Sequence, residues 1–183
     1  ALDGVQIEVL PGVGSLQALC AKLRRPWENV RAVSLHGRDC NFAAEVRAHE
    51  AVFALLGGRD GAKDALDRLC RAGLGDLTVH IGQRLGYPDE KLVSGTASAL
   101  REGAFDSLSV LLVENPGWKN EIVTPGLPDE AFDRDETPMT KSEVRAVSLG
   151  KLALTPGAVV YDVGSGSGSV SVECARLAPM GHV

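Results

Sequence analysis

Six short apolar runs, VQIEVL, VRAVSL, AVFALL, LTVHI, KLVSGT and LSVLLVEN, recur from residue 5 to residue 115 with helix-patterned stretches among them. That alternation restricts the first part of the chain to an α/β domain, because short apolar runs bury as strands only when helices or further strands cover them. SLQALCAKL carries Leu16, Leu19, Ala21 and Leu23 near one face, and Ser15, just after Pro11-Gly12-Val13-Gly14, is placed to cap its start. GGRDGAKDALDRLCRAG reads as a second helix burying Ala62, Ala65, Leu66 and Leu69, with Gly73 as its stop. LTVHIGQRLGYPDEKLVSGT reads as an antiparallel hairpin through the turn formers Gly86-Tyr87-Pro88-Asp89.

Composition narrows the class. At 183 residues and 44% hydrophobic, the chain can bury a core and hold one or two domains. No apolar run approaches the roughly 18 residues of a membrane span, and ALDGVQIEVL lacks the basic start and cleavage site of a signal peptide, so no membrane partner and a cytoplasmic location are expected. A net charge of −5 and 4% aromatics argue against a general nucleic-acid binder. Cys20, Cys40, Cys70 and Cys174 form no C-x-x-C pair and have no histidine at ligand spacing, so they read as small buried hydrophobes, with no metal site.

From Glu114 to Pro138 the pattern breaks. Four of the nine prolines fall here, with seven acids against Lys119 and Arg134, which reads as an exposed connection between domains. Beyond it, Thr140-Lys141-Ser142-Glu143 matches a capping box, and Val144, Val147 and Leu152 mark an apolar stripe on the helix that follows. Pro156-Gly157 ends that helix, and AVVYDV reads as a buried strand.

That strand runs into Asp162-Val163-Gly164-Ser165-Gly166-Ser167-Gly168, followed by an apolar helix. Glycines in such a turn let backbone approach a ligand, and the helix start presents free N–H groups. The glycines fall at 164, 166 and 168, a D-x-G-x-G-x-G pattern rather than the G-x-G-x-x-G of dinucleotide sites. It is similar to the first motif of Rossmann-like methyltransferases that bind S-adenosylmethionine. A plain Gly/Ser linker and a different nucleotide cofactor remain as alternatives.

Thr137-Pro138-Met139-Thr140-Lys141-Ser142-Glu143-Val144-Arg145-Ala146-Val147, followed by DVGSGSG, resembles the opening of the decarboxylating methyltransferase module of cobalamin biosynthesis. Leu10-Pro11-Gly12-Val13-Gly14-Ser15 and Val33-Ser34-Leu35-His36-Gly37-Arg38-Asp39 resemble the second half of a tetrapyrrole methylase. In this order the two resemble the family of fused precorrin-6Y C5,15-methyltransferases (decarboxylating). The resemblance implies the C-terminal subdomain of a tetrapyrrole methylase at 1–113, a mixed sheet with helices, then a linker at 114–137. From 138 to 183 it implies the first elements of a Rossmann-like methyltransferase. It also implies a piece spanning a module junction and inactive alone, with one cofactor loop upstream of Ala1 and the acidic partner of the cofactor ribose beyond Val183.

The implied reaction transfers methyl groups from S-adenosylmethionine to C5 and C15 of a contracted tetrapyrrole, with loss of carbon dioxide from the C12 acetate. The implied cofactor contacts are Gly164, Ser165, Gly166, Ser167 and Gly168, the serines through their backbone, together with Thr140, which can equally serve as a helix cap. Pro11, Gly12 and Ser15 fall at a strand-to-helix turn, the ligand edge of an open sheet, and are the expected substrate contacts together with Arg38, whose guanidinium suits the carboxylates of the tetrapyrrole. Arg38 as a surface residue is the plain alternative. His36 can shuttle a proton or simply hold a strand end. No catalytic constellation is expected, since alignment of an electrophilic sulfonium with an electron-rich carbon dominates.

Lys22, Arg24, Arg25, Arg31, Arg38 and Arg47 against three acids within residues 22–47 form either a carboxylate-facing rim or a solvated face. A homo-oligomer is expected. The competing functions are a methyltransferase acting on another small molecule and a noncatalytic oligomerisation or scaffold domain.

Overall fold

In the computed structural model the chain divides into two units, Ala1–Trp118 and Lys119–Val183. The structure describes residues 8, 10, 12–37, 40–58, 60–119, 123–133 and 137–183. Val5, Gln6, Ile7 and Val9 of the run VQIEVL lie outside them, as do Pro11 and Arg38.

In the first unit the described strands are β1 (Arg31–Ser34), β2 (Ala51–Leu55), β3 (Thr78–Gln83), β4 (Lys91–Thr96) and β5 (Ser109–Glu114). They form one mixed sheet in the order β1-β2-β5-β3-β4. β1 and β2 are parallel, which requires a crossover, and the helix α2 (Phe42–Ala48) supplies it. Every other pairing is antiparallel, with Phe53 opposite Leu112 and Ile81 opposite Leu111. β5 lies at the centre because SVLLVE is apolar on both faces, so it can be covered from both sides.

The two faces of β2 and β5 divide the core. Val52, Ala54, Leu111 and Val113 pack beneath α2 and α3 (Gly61–Arg71), against Phe42, Val46, Leu66 and Leu69. Ala51, Phe53, Val110 and Leu112 turn the other way, towards Leu19 and Cys20 of α1 (Ser15–Lys22). In α3 the four expected residues, Ala62, Ala65, Leu66 and Leu69, are all buried. Gly73 follows the helix at φ +73°. β3 and β4 form the expected hairpin, which turns through Gly86 at φ +83°.

Three local expectations change. Ser15 is the first residue of α1 rather than its cap; Gly14 holds that position without a side-chain bond. Ala21 faces out and Cys20 takes its place in the core, because Leu16, Leu19, Cys20 and Leu23 share the i, i+3, i+4, i+7 face and Ala21 lies off it. Cys40 and Cys70 are half-buried, unlike Cys20 and Cys174. α2 and the short α4 (Ala97–Leu100) carry no strong periodic pattern; each starts at a side-chain cap, Asn41 accepting from the Ala44 N–H at 3.2 Å and Thr96 from that of Ala99.

The second unit holds α5 (Ser142–Leu152), α6 (Ser169–Leu177) and a short 3-10 turn at Asp129–Ala131. Here the expected stripe is reversed. Val144, Val147 and Leu152 are exposed, whereas Arg145 and Leu149, one turn apart on the adjoining face, are buried. AVVYDV is not a buried strand either. Val159 makes one isolated parallel bridge to His182, and Tyr161 and Val163 are 87% and 95% exposed, because a parallel strand is buried only when neighbours pair with both of its edges. Among the described residues no helix is long and apolar enough to cross a membrane.

Candidate functional site

The Gly-rich turn of the second unit joins the Asp162 segment to α6. Gly164, Gly166 and Gly168 take φ of +77°, +54° and +73°, the left-handed region that a side chain would strain. The Gly168 N–H donates to the Ser165 carbonyl at 2.8 Å, closing the turn, and the Val172 N–H reaches back to the Gly168 carbonyl at 2.9 Å. The first N–H groups of α6 are left without partners inside the helix, as at any helix start. The turn therefore presents bare backbone at the positive end of a helix, suited to polar or anionic ligand atoms.

A cleft of about 430 Å³ opens beside it, lined by Asp162, Ser165, Ser171, Val172, Ala175 and Val183. The Ser171 hydroxyl donates to Asp162 Oδ2 at 2.5 Å, which fixes the carboxylate at the cleft wall. Ser167 Oγ lies 3.3 Å from Ser169 Oγ. Thr137 and Pro138 come against the turn from the other direction: a Cβ added at Gly166 would stand 3.6 Å from the Pro138 carbonyl oxygen and 4.0 Å from the Thr137 methyl.

Thr140 does not cap α5. Lys141 occupies the N-cap with no side-chain bond, so the expected capping box is not formed. The Thr140 carbonyl instead accepts from Arg145, and its side chain is exposed.

Arg145 is fully buried. Its Nε donates to Glu173 Oε1 at 2.7 Å, its Nη1 to Asp129 Oδ1 at 2.9 Å and to the Thr140 carbonyl, and its Nη2 to the Leu127 carbonyl. The Phe132 ring covers the guanidinium at 4.8 Å. Glu173 Oε2 accepts the Gly126 N–H at 2.5 Å. Burial pushes the Glu173 carboxyl up, but the Arg145 guanidinium and the N–H groups of Gly126 and Leu127 outweigh it and hold the carboxyl below its usual range. Asp129 is likewise lowered: desolvation opposes the shift, and Arg145 and Lys141 prevail. The Cys174 thiol, by contrast, is pushed up by burial and by the nearby Asp162 and Glu173 carboxylates.

In the first unit Ser15 lines a cavity of about 290 Å³ at the ends of β2 and β3, with Leu55, Leu85, Tyr87 and Leu108 among its walls. Gly12 is exposed, with open space where a side chain would project. His36 packs over Gly57, where an added Cβ would fall 2.8 Å from Nδ1; that contact favours the structural role. Three of the six bases of the run are paired with acids within the chain. Lys22 pairs with Glu90 and Arg25 with Glu114, both at 2.5 Å, Arg31 pairs with Glu45 at 3.0 Å, and Arg47 donates to the Ala72 carbonyl.

The structure thus brings together the glycines, Ser165 and the Thr137-Pro138 segment, and it adds Asp162, Ser171 and Arg145. Asp162 and Arg145 stand inside the motifs the sequence displays; what concealed them is that an acid beside a glycine run and a basic residue on a helix ordinarily face water. Among the described residues no group of three or more potential ligands is arranged to hold a metal ion.

Two family profiles match the chain. The precorrin methyltransferase domain profile covers residues 130–183, and that of the tetrapyrrole (corrin/porphyrin) methylases covers residues 1–101. A Sinorhizobium protein named precorrin-6Y C(5,15)-methyltransferase [decarboxylating] is 29% identical over 179 residues, 94% of this chain and 42% of the relative. Its namesake in Mycobacterium tuberculosis is 31% identical over 176 residues, 94% of this chain and 44% of the relative. A probable cobalt-precorrin-6B C(15)-methyltransferase (decarboxylating) of Pyrobaculum calidifontis is 62% identical over 55 residues, 30% of this chain and 28% of that protein. The chain therefore spans less than half the length of the curated relatives it matches. With more than half of its residues matched by that one profile, the chain belongs to the tetrapyrrole (corrin/porphyrin) methylases.

Proposed function

We propose that this chain serves the S-adenosylmethionine-dependent methylation of a precorrin-6-class tetrapyrrole at C5 and C15, with loss of the C12 acetate carboxyl as carbon dioxide, in cobalamin biosynthesis. The observation that carries the reading is the turn of three left-handed glycines launching α6, with the Pro138 carbonyl over Gly166, inside the segment matched by the precorrin methyltransferase profile. We assign residues 1–113 to the tetrapyrrole methylase part, 114–137 to the connection and 138–183 to the Rossmann-like part.

The residues fit the cofactor. Backbone at Gly164, Ser165, Gly166, Ser167 and Gly168 is bare enough for close approach, and the Asp162 carboxylate on the cleft wall complements a cationic ligand. Thr140 closes the same set from the N-terminal side of α5. S-adenosylmethionine, when bound, supplies an electrophilic methyl group. The chain's own task is to bind and orient: the turn holds the ligand by main-chain N–H groups, and Val172 and Ala175 give one side of the cleft an apolar wall. The Ser15 cavity, walled mainly by apolar side chains, is the candidate seat for one edge of the macrocycle in the first unit, and Pro11, Gly12 and Arg38 are proposed as further substrate contacts. We also take the chain to act as a homo-oligomer, since β4 is an edge of the sheet among the described residues.

Titration with S-adenosylhomocysteine followed by amide shifts tests the cofactor site. With residues 1–183 carried in the graft described next, saturable shifts at Gly164–Gly168 and Thr140 are expected; saturable shifts confined to other residues, or none, overturn the assignment. For the reaction, residues 1–183 are grafted in place of the matched stretch of the Sinorhizobium relative. Labelled methyl transfer to a precorrin-6-class acceptor with carbon dioxide release is expected, and a folded graft that transfers no label overturns the reading.

A further inference from the structure

Arg145 is the largest fully buried side chain described, and its guanidinium joins three stretches of chain, at Leu127–Asp129, at Thr140 and at Glu173. Through Glu173 it is tied to α6, the helix launched by the Gly-rich turn. Through the Leu127 carbonyl and Asp129 it holds the chain that precedes α5, and through the Thr140 carbonyl it fixes the end of the Thr137–Thr140 segment. Glu173 completes the tie by accepting the Gly126 N–H. At Gly126, φ is +93° and an added Cβ would come within 2.9 Å of the Ala146 Cβ, so the chain passes too close to α5 for a larger residue.

Stability alone does not account for this arrangement. A buried ion pair loses in desolvation much of what it gains in attraction, and an apolar pair of similar volume is often as stable. What an apolar pair cannot do is fix two backbone carbonyls at once. Arginine offers five N–H donors in a rigid planar fork, four of which are engaged here by four different acceptors; lysine offers three from one point. The segment fixed at Thr140 is the one whose Pro138 carbonyl lies over Gly166.

We propose that Arg145 is a positioning residue, whose buried fork between Glu173 and the Thr140 and Leu127 carbonyls holds the Thr137–Thr140 segment against the Gly-rich turn and so pre-forms the cofactor cradle. This rests on the reading of that turn as the cofactor site. Arg145 itself touches no ligand; it acts through the main chain it holds. Binding energy that would otherwise order the segment is then available for the ligand.

The test replaces the pair by apolar residues, Arg145→Met with Glu173→Leu, in the whole chain, leaving Asp129 paired with Lys141, 3.3 Å away. Two readouts are needed. The first uses no ligand: the nuclear Overhauser contact between the Gly166 Hα and the Thr137 methyl is expected in the parent chain and lost in the double variant, while the thermal midpoint stays close to that of the parent. The second is S-adenosylhomocysteine binding, expected to weaken tenfold or more. A folded double variant that keeps the contact overturns the proposal, as does one that binds with parental affinity. Should the double variant not fold, Arg145→Lys decides: it keeps the charge and loses the fork, so loss of the contact in a folded protein supports the proposal and its retention sinks it. A parent sequence carried in the graft into the Sinorhizobium relative that keeps the Gly166–Thr137 contact but binds no S-adenosylhomocysteine defeats the cofactor reading. The positioning of the segment by Arg145 is then still decided by the first readout.

Discussion

The first unit is held by apolar layers on both faces of a sheet, whereas the second is organised around a buried ionic hub. Phe42, Leu66, Leu69, Ile81 and Leu111 meet on one side of the sheet and Leu19, Phe53 and Leu112 on the other, so any one contact is backed by many. Among the described residues of the second unit the fully buried large side chains are Arg145, Glu173 and Leu149, and two of the three are charged. Apolar packing is non-directional and tolerates small adjustments, while a shared guanidinium holds only in one geometry. The first design builds a platform. The second fixes a loop.

That contrast can be broken most severely at the hub. Arg145→Met alone strands Glu173 as a buried charge and should cost about 3–5 kcal/mol, against little or no loss when Glu173 is replaced with it. Chemical denaturation followed separately by second-unit and first-unit resonances checks this; equal losses for the single and double variants would mean that the pair acts only as filling. Leu111→Ala at the centre of the sheet should cost about 2–5 kcal/mol and be felt on the opposite side of the contrast, in the first unit's transition. A loss well under 1 kcal/mol would mean the layers collapse around the gap.

Acid should separate the two units more gently. Glu173 and Asp129 are both lowered in the folded chain, so their contribution is fully present above the unfolded carboxylate values near 4 and is lost as pH falls through the lower folded ones. The Gly166–Thr137 contact should therefore fade on acidification while the β2–β5 amide signals persist. Simultaneous loss of both would end the idea of a distinct ionic hub. Asn41→Ala removes the cap of α2 and should cost about 1 kcal/mol in the first unit. Smallest of all, Val147→Ser on the exposed face of α5 should stay within about 0.5 kcal/mol, as read by thermal melting. A larger loss would show that something covers this face in solution.

How far the sequence could be read differs between the same two regions. Ala62, Ala65, Leu66 and Leu69 of α3 are legible because a helix against a sheet buries one apolar stripe, and the five described strands and the hairpin turn follow from equally local rules. The same arithmetic applied to α5 selects Val144, Val147 and Leu152 and fails, because what lies against α5 is Glu173 and the Leu127 and Thr140 carbonyls. Of the candidate site, the three glycines were visible because positive φ is written into residue type. The approach of Pro138 to Gly166 was not, since it depends on chain folding back from a stretch that reads as a connection.

By itself, then, the sequence determined the elements whose signals are local: the five described strands, the hairpin, helices α1 and α3 of the first unit and the glycine turn, each set by period, turn chemistry or backbone freedom. Tertiary structure alone decided the order β1-β2-β5-β3-β4, the pairing of the basic residues with distant acids, and the burial of Arg145. The reason is physical. Strand order and buried charge depend on partners far along the chain, and neither leaves a pattern in neighbouring residues.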